Sequence, residues 1–142
     1  MKENKGFSLV ELIVVVAIMA VLVGILAPAY LSYVEKTRIG ADEDAAEEIR
    51  RAVETATAEV AVYDEVIGSL SGGSVSHTFG ATVSSCSTLG AELKKSLQDV
   101  FGDTKGFSPK SKKYAGKSAV VTITNNSNLG TGAALDVSVA IQ

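Results

Sequence analysis

Glu11 is the only acid between residues 5 and 35, and residues 12–34 carry no charge at all. An ionised carboxylate at the edge of such a run costs a few kcal/mol if it enters lipid, and acids within membrane segments generally mark a function. Something has to neutralise it. Phe7 stands four residues earlier, on the same face of a helix. Cutting the chain between Gly6 and Phe7 creates a new α-amino group, whose unperturbed pKa of about 7.7–8.0 leaves much of it cationic near neutrality. That amine can meet Glu11 of its own chain or of a neighbour. Inside a low-dielectric bundle the pair is attractive, whereas an unpaired Glu11 is costly. Glu11 then serves as a register mark.

Elsewhere the chemistry is sparse. The one histidine, His77, lies in a Ser/Gly-rich stretch with no acid or nucleophile near it in sequence, and is expected on the surface of a loop or strand. The one cysteine, Cys86, allows no internal disulfide and, with no His/Cys cluster, suggests no metal site; a small buried or half-buried side chain is expected. Gly72-Gly73 is not followed by Lys-Ser/Thr, so no phosphate loop is present. No catalytic residue, cofactor or metal is expected, and the chain does not read as an enzyme. With 16 acids against 13 bases and a net charge of −3, nothing marks a nucleic-acid binder.

The element that must position Glu11 is an apolar helix. The 23 uncharged residues 12–34 are long enough, at about 1.5 Å per residue, to cross roughly 30 Å of hydrocarbon. A cleaved secretory signal is one reading, supported by Lys2, Lys5 and the A-x-A pattern Ala27-Pro28-Ala29. Against it, the apolar run is too long and continues as helix. A plain anchor explains the length but leaves Glu11 unexplained. A processed helix that uses first membrane and then protein surroundings explains both.

The stretch Gly6-Phe7-Ser8-Leu9-Val10-Glu11-Leu12-Ile13 resembles the type IV prepilin signature: a short basic leader ending in Gly, an aromatic first mature residue, then Ser/Thr-Leu-Ile/Val-Glu-Leu and a long apolar helix. The resemblance covers about the first 30 residues. It implies a leader 1–6 cleaved after Gly6 by a membrane prepilin peptidase, which also N-methylates Phe7. It implies a transmembrane and filament-core helix 7–34 and a globular head 35–142. Subunits would form a homo-oligomeric helical filament through inner-membrane assembly machinery, with Glu11 facing the methylated amine of an adjacent subunit. The protein would be single-pass in the cytoplasmic membrane before assembly and extracellular after it. Pro28 also matches the family. Many members carry a mid-helix glycine, but here the only interior one is Gly24, so a kink or unwinding is expected over residues 24–28. Many pilins close the head with a disulfide; lone Cys86 cannot, which leans towards a Gram-positive type of system.

The resemblance implies an α+β fold, and the rest of the chain agrees. Ala46, Ile49, Val53, Ala56 and Val60 recur at 3 and 4, which predicts one nearly continuous helix over residues 8–63. Its hydrophobic half protrudes and its amphipathic half packs on a small antiparallel β-sheet head. Residues 74–83 include a short strand, 88–101 form a helix ended by Gly102, and 106–116 form an exposed loop. Residues 118–124 and 134–141 are strands joined by a turn over 125–132, where Asn125-Asn126-Ser127 matches a glycosylation triplet.

Residues 35–65 carry a balance of −6 and residues 94–117 one of +5. Lys110, Lys112 and Lys113 could therefore meet Asp42, Glu43 and Asp44 across subunits, unless both faces are merely solvated. Three functions follow: the main subunit of a pilus, a pseudopilin of a secretion or DNA-uptake machine, or, if Gly6 is never cut, a membrane-anchored ligand-binding module. The Ala/Gly/Ser/Thr-rich head and the complete Glu11 motif favour the first. A calcium site would favour the second, yet Asp136 is the only acid after Asp103.

Overall fold

The computed structural model describes residues 8–70, 73–86, 88–102, 106–126 and 134–142. The chain forms two compact units, Met1–Thr37 and Arg38–Gln142. Helix α1 (Leu9–Ala56) is a single α-helix of 48 residues. In the first unit every described residue from Ser8 to Tyr33 is exposed. Leu and Ala favour the helix intrinsically, while the many Val and Ile residues are poor formers in water. In lipid the choice narrows, because one segment can satisfy its backbone groups only as a helix.

The second unit supplies the core. Ala46, Ile49, Ala52, Val53 and Ala56 of α1 are buried, as the 3-and-4 spacing requires. The helix does not reach Tyr63. It stops at Ala56 and resumes as α2 (Val60–Ser69). The Thr57 hydroxyl bonds the Glu54 carbonyl at 2.9 Å, and the amides of Ala58 and Glu59 reach back only three residues, to Thr55 and Ala56. Threonine competing locally for backbone acceptors favours such an ending. Glu59 then adopts extended geometry (ψ 134°), and Val60, last in the predicted stripe, is left 77% exposed. Helix α2 buries Val62 and Val66 instead.

Three antiparallel strands follow in the order β1 (Ser74–Phe79), β2 (Ala119–Asn126), β3 (Ala134–Ile141). β1 is the short strand expected within residues 74–83, and Val83 lies in a 3-10 turn beyond it. β2 starts one residue later and ends two residues later than expected, and β3 has the expected bounds. The turn expected over 125–132 lies mostly outside the described residues, with Asn125 and Asn126 paired into β2 and Ser127 among those not described. His77 is not a surface residue. Alternation along β1 turns it inward with Phe79, opposite Val121 of the central strand, and leaves it 3% exposed. Cys86 is buried, within the expected range.

Helix α3 (Ala91–Phe101) lays Leu93 and Leu97 into the same core as Phe79, Val121 and Ile123. It starts three residues after the predicted position because Gly90, with ψ 165°, is its cap. Gly102 ends it in the left-handed region at φ 70°, where glycine carries no side-chain penalty. The following loop returns to the core through Phe107, whose amide donates to the Gly80 carbonyl at 2.6 Å. The backbones of Gly80, Ala81 and Thr82 lie so close to Gly106 that any Cβ there would collide with them.

Leu97→Ala is expected to cost about 2–5 kcal/mol by leaving a cavity, and Gly106→Ala about 1–3 kcal/mol by overpacking. Urea unfolding followed by circular dichroism checks both; a Gly106→Ala midpoint equal to the parent's would mean that residues 80–82 yield freely.

Candidate functional site

Glu11 occupies the first turn of α1, three residues after Ser8, which precedes the helix. The Ser8 amide donates to Glu11 Oε2 at 2.9 Å, and Leu12 N donates to the Ser8 carbonyl at 3.3 Å. A carboxylate reaching back to the cap amide is one half of a capping box, and its charge suits the positive end of the helix dipole. The Ser8-x-x-Glu11 spacing announces this cap, and sequence reasoning had assigned Glu11 only to an amine. Gly6 and Phe7 lie outside the described residues.

The apolar side chains beyond Glu11 are exposed as far as Tyr33. Leu9, Val10 and Ile25 keep 73%, 65% and 67% of their surface. Among the described residues α1 is the one helix long and apolar enough to cross a membrane, by length and composition, with a mean hydropathy of 3.1 over its best window. Gly24 and Pro28 lie within α1, whose helical run passes uninterrupted through both. They stand four apart, and the proline that lacks a donor is the residue whose amide would bond the Gly24 carbonyl. A Cβ on Gly24 would meet nothing within 4 Å, so packing inside this chain does not demand glycine there.

The acidic and basic residues singled out from sequence meet within the second unit. Asp42, 3% exposed, accepts the Lys110 and Ser111 amides on its two carboxylate oxygens, each at 2.8 Å. The Tyr114 amide donates to the Ser111 hydroxyl at 3.3 Å and extends the clamp. Burial alone would raise the Asp42 carboxyl, but the Ser111 hydroxyl and the two amides outweigh it and hold it below its ordinary value. Glu43 Oε1 accepts the Tyr114 hydroxyl at 2.7 Å and the Lys113 ammonium at 3.3 Å. Those two donors, Tyr114 foremost, lower the Glu43 carboxyl. Lys113 also sits 4.5 Å from the Tyr114 ring centroid. The Glu43–Lys113 pair is half exposed and adds little stability; bonds from amides to a buried carboxylate are the stronger kind. Asp44, Lys110 and Lys112 are exposed.

Another joint escaped sequence reasoning. Glu65 of α2 accepts the Glu92 and Leu93 amides, both at 3.0 Å, and so caps α3 from a different helix. A Cβ on Gly90 would run into the Glu65 carboxylate. No sequence spacing signals a cap supplied across 27 residues.

A family model described as the prokaryotic N-terminal methylation motif matches residues 1–27. No curated protein and no solved structure matches the chain. The chain thus carries the class III leader of type IV pilins, which marks a pilin-like or pseudopilin substrate and implies processing by a prepilin peptidase and handling by pilus assembly machinery. With the apolar helix it fits a membrane-anchored pilin.

Asp42→Asn is expected to cost about 1.5–3 kcal/mol, the range for a hydrogen bond to a charged group. Because the folded carboxyl titrates below its ordinary value, its contribution is complete above about pH 4 and lost as pH falls through the lower folded value. Urea midpoints between about pH 2 and 7 check the sign: parent and variant should converge in acid.

Proposed function

We propose that this protein is the main repeating subunit of an extracellular type IV pilus serving adhesion, surface motility or biofilm formation. The carrying observation is the bare apolar stretch of α1 behind one carboxylate at its first turn. Before assembly, lipid covers that stretch. After cleavage behind Gly6 and N-methylation of Phe7, the same stretches of neighbouring copies replace the lipid. Association then conserves apolar contact, so hydrophobicity alone does not select the partner's position. The Glu11 carboxylate does, because only a copy whose amine lies beside it relieves the buried charge. Unwinding over residues 24–28, where one helical hydrogen bond cannot form, would let the helices adjust as they pack. The Ala/Gly/Ser/Thr-rich head supports an abundant subunit.

Charge adds a second contact. Asp42 and Glu43 serve the 106–117 loop, so pairing between copies rests on exposed Asp44 against exposed Lys110.

Gly6→Leu should leave Met1 attached and the protein in the membrane, as intact mass would show. Glu11→Leu should still be trimmed yet give sparse filaments or none by electron microscopy; abundant filaments of parental length would remove the pairing role. Mass spectrometry of sheared parental fibres should find a methylated Phe7 start. Retention with the envelope would support the pseudopilin alternative, and an intact Met1 the tethered binding module. Salt above about 0.5 M should loosen head contacts, since screening acts within about 10 Å; fibres equally resistant at all ionic strengths would dismiss the Asp44–Lys110 contact.

A further inference from the structure

The single histidine and the single cysteine of the chain share one partner. His77 Nδ1 lies 3.2 Å from the Thr88 hydroxyl, and the same hydroxyl lies 3.5 Å from Cys86 Sγ. The other ring nitrogen, Nε2, is buried and meets no hydrogen-bond partner among the described residues. A cavity of about 130 Å³ lies beside the ring, walled by Glu65, Val66 and Ser69 of α2, by Thr88, Leu89 and Gly90, and by Leu93 of α3. Its one carboxylate, Glu65, is the group that caps α3. The wall of the cavity is therefore the α2–α3 joint itself.

A neutral imidazole tolerates this setting because only one ring nitrogen carries hydrogen. An imidazolium carries hydrogen on both and needs two acceptors and a counter-charge. The titratable groups around it are few: Glu65 from α2 and the Cys86 thiol from the 82–90 segment. β2 offers Val121 across the strand pair and α3 offers Leu93, neither of them polar. Burial disfavours the charged ring, with the Thr88 bond opposing only in part. A charged ring can be relieved in two ways. Either water enters, or Glu65 turns from the α3 amides to the ring. Both loosen the same joint.

We infer that His77 is an acid-triggered release for this joint: protonation of its ring parts Thr88–Gly90 from α2 and uncovers Cys86 while the sheet and α1 stay folded. The folded state holds the neutral ring, so the closed form is complete above the ordinary histidine value and gives way as pH falls below it.

The test uses the full chain in detergent micelles from about pH 7.5 to about pH 4.5, which brackets the ordinary value of about 6.5. Cys86 is labelled with dithiodipyridine, which reacts with thiols in acid, and its rate is divided by that of the unfolded chain at each pH. Protection should be strong at the alkaline end and fall roughly tenfold per pH unit below the midpoint, as one coupled proton requires. Nitrogen NMR of the sole histidine should show the ring charging only below its ordinary value, where protection runs out, with the far-UV circular dichroism unchanged. His77→Asn keeps a partner for Thr88 but cannot charge, and should hold Cys86 protected throughout. The inference is overturned by constant protection in the parent, by complete loss of protection while the ring is still neutral, by loss of the helical signal in step with exposure, or by an unchanged profile in the variant. Should that variant expose Cys86 already at the alkaline end, the parent decides: its ring must charge at the pH where its protection ends.

Discussion

An apolar helix that its own chain leaves bare has to be covered by something else, and the carboxylate at its start limits what the cover can be. Lipid accepts the side chains beyond Glu11 readily but accepts an ionised acid badly. Among the described residues the Ser8 amide gives that acid a hydrogen bond. On the proposed reading, leader removal supplies the missing charge and turns a membrane anchor into a polymer contact. The exposure of residues 8–33, the helical continuity of α1 and the match to a methylation motif over residues 1–27 all concern this one requirement.

The second unit meets a different requirement: a small head without a disulfide must hold its loops by other means. It does so with carboxylates placed against backbone amides. Asp42 takes two amides of the 106–117 loop, and Glu65 takes two at the start of α3. Each gives backbone donors a charged acceptor, which is worth more than a surface ion pair between the same charges. Behind them Phe79, Leu93, Leu97, Val121 and Ile123 pack with almost no exposure. Charge holds the loops and apolar contact holds the layers.

What could be read from sequence follows from how local each signal is. The apolar run, the stripe Ala46–Ile49–Val53–Ala56 and the alternation of β3 are periodic, and periodicity survives folding because burial acts on one face. The end of α1 was missed because Thr55 and Thr57 compete for backbone acceptors at a point where the apolar phase continues unbroken. His77 stands between Val75 and Phe79 on the alternating face of β1, a signal that the Ser/Gly-rich composition around it hides, and pairing opposite Val121 completes its burial. The acidic and basic clusters were legible as clusters. Their partners were not, since a carboxylate that accepts a distant amide leaves no trace in charge spacing. At the amino terminus the reverse holds: the Ser8-x-x-Glu11 pattern was plain, but the amine drew attention away from the cap.

Gly24 and Pro28 give α1 a mechanical character. One rung of its hydrogen-bond ladder is missing where the residue offering the carbonyl is itself a glycine. Under axial tension such a rod lengthens first at that point, since a residue passing from helical to extended geometry gains about 1.8 Å of rise. Five residues would supply about 9 Å of slack, at the cost of the rungs that span them. A fibre built on this helix would be compliant by design of a single dipolar gap, and its stiffness could be tuned at position 24 without touching the head.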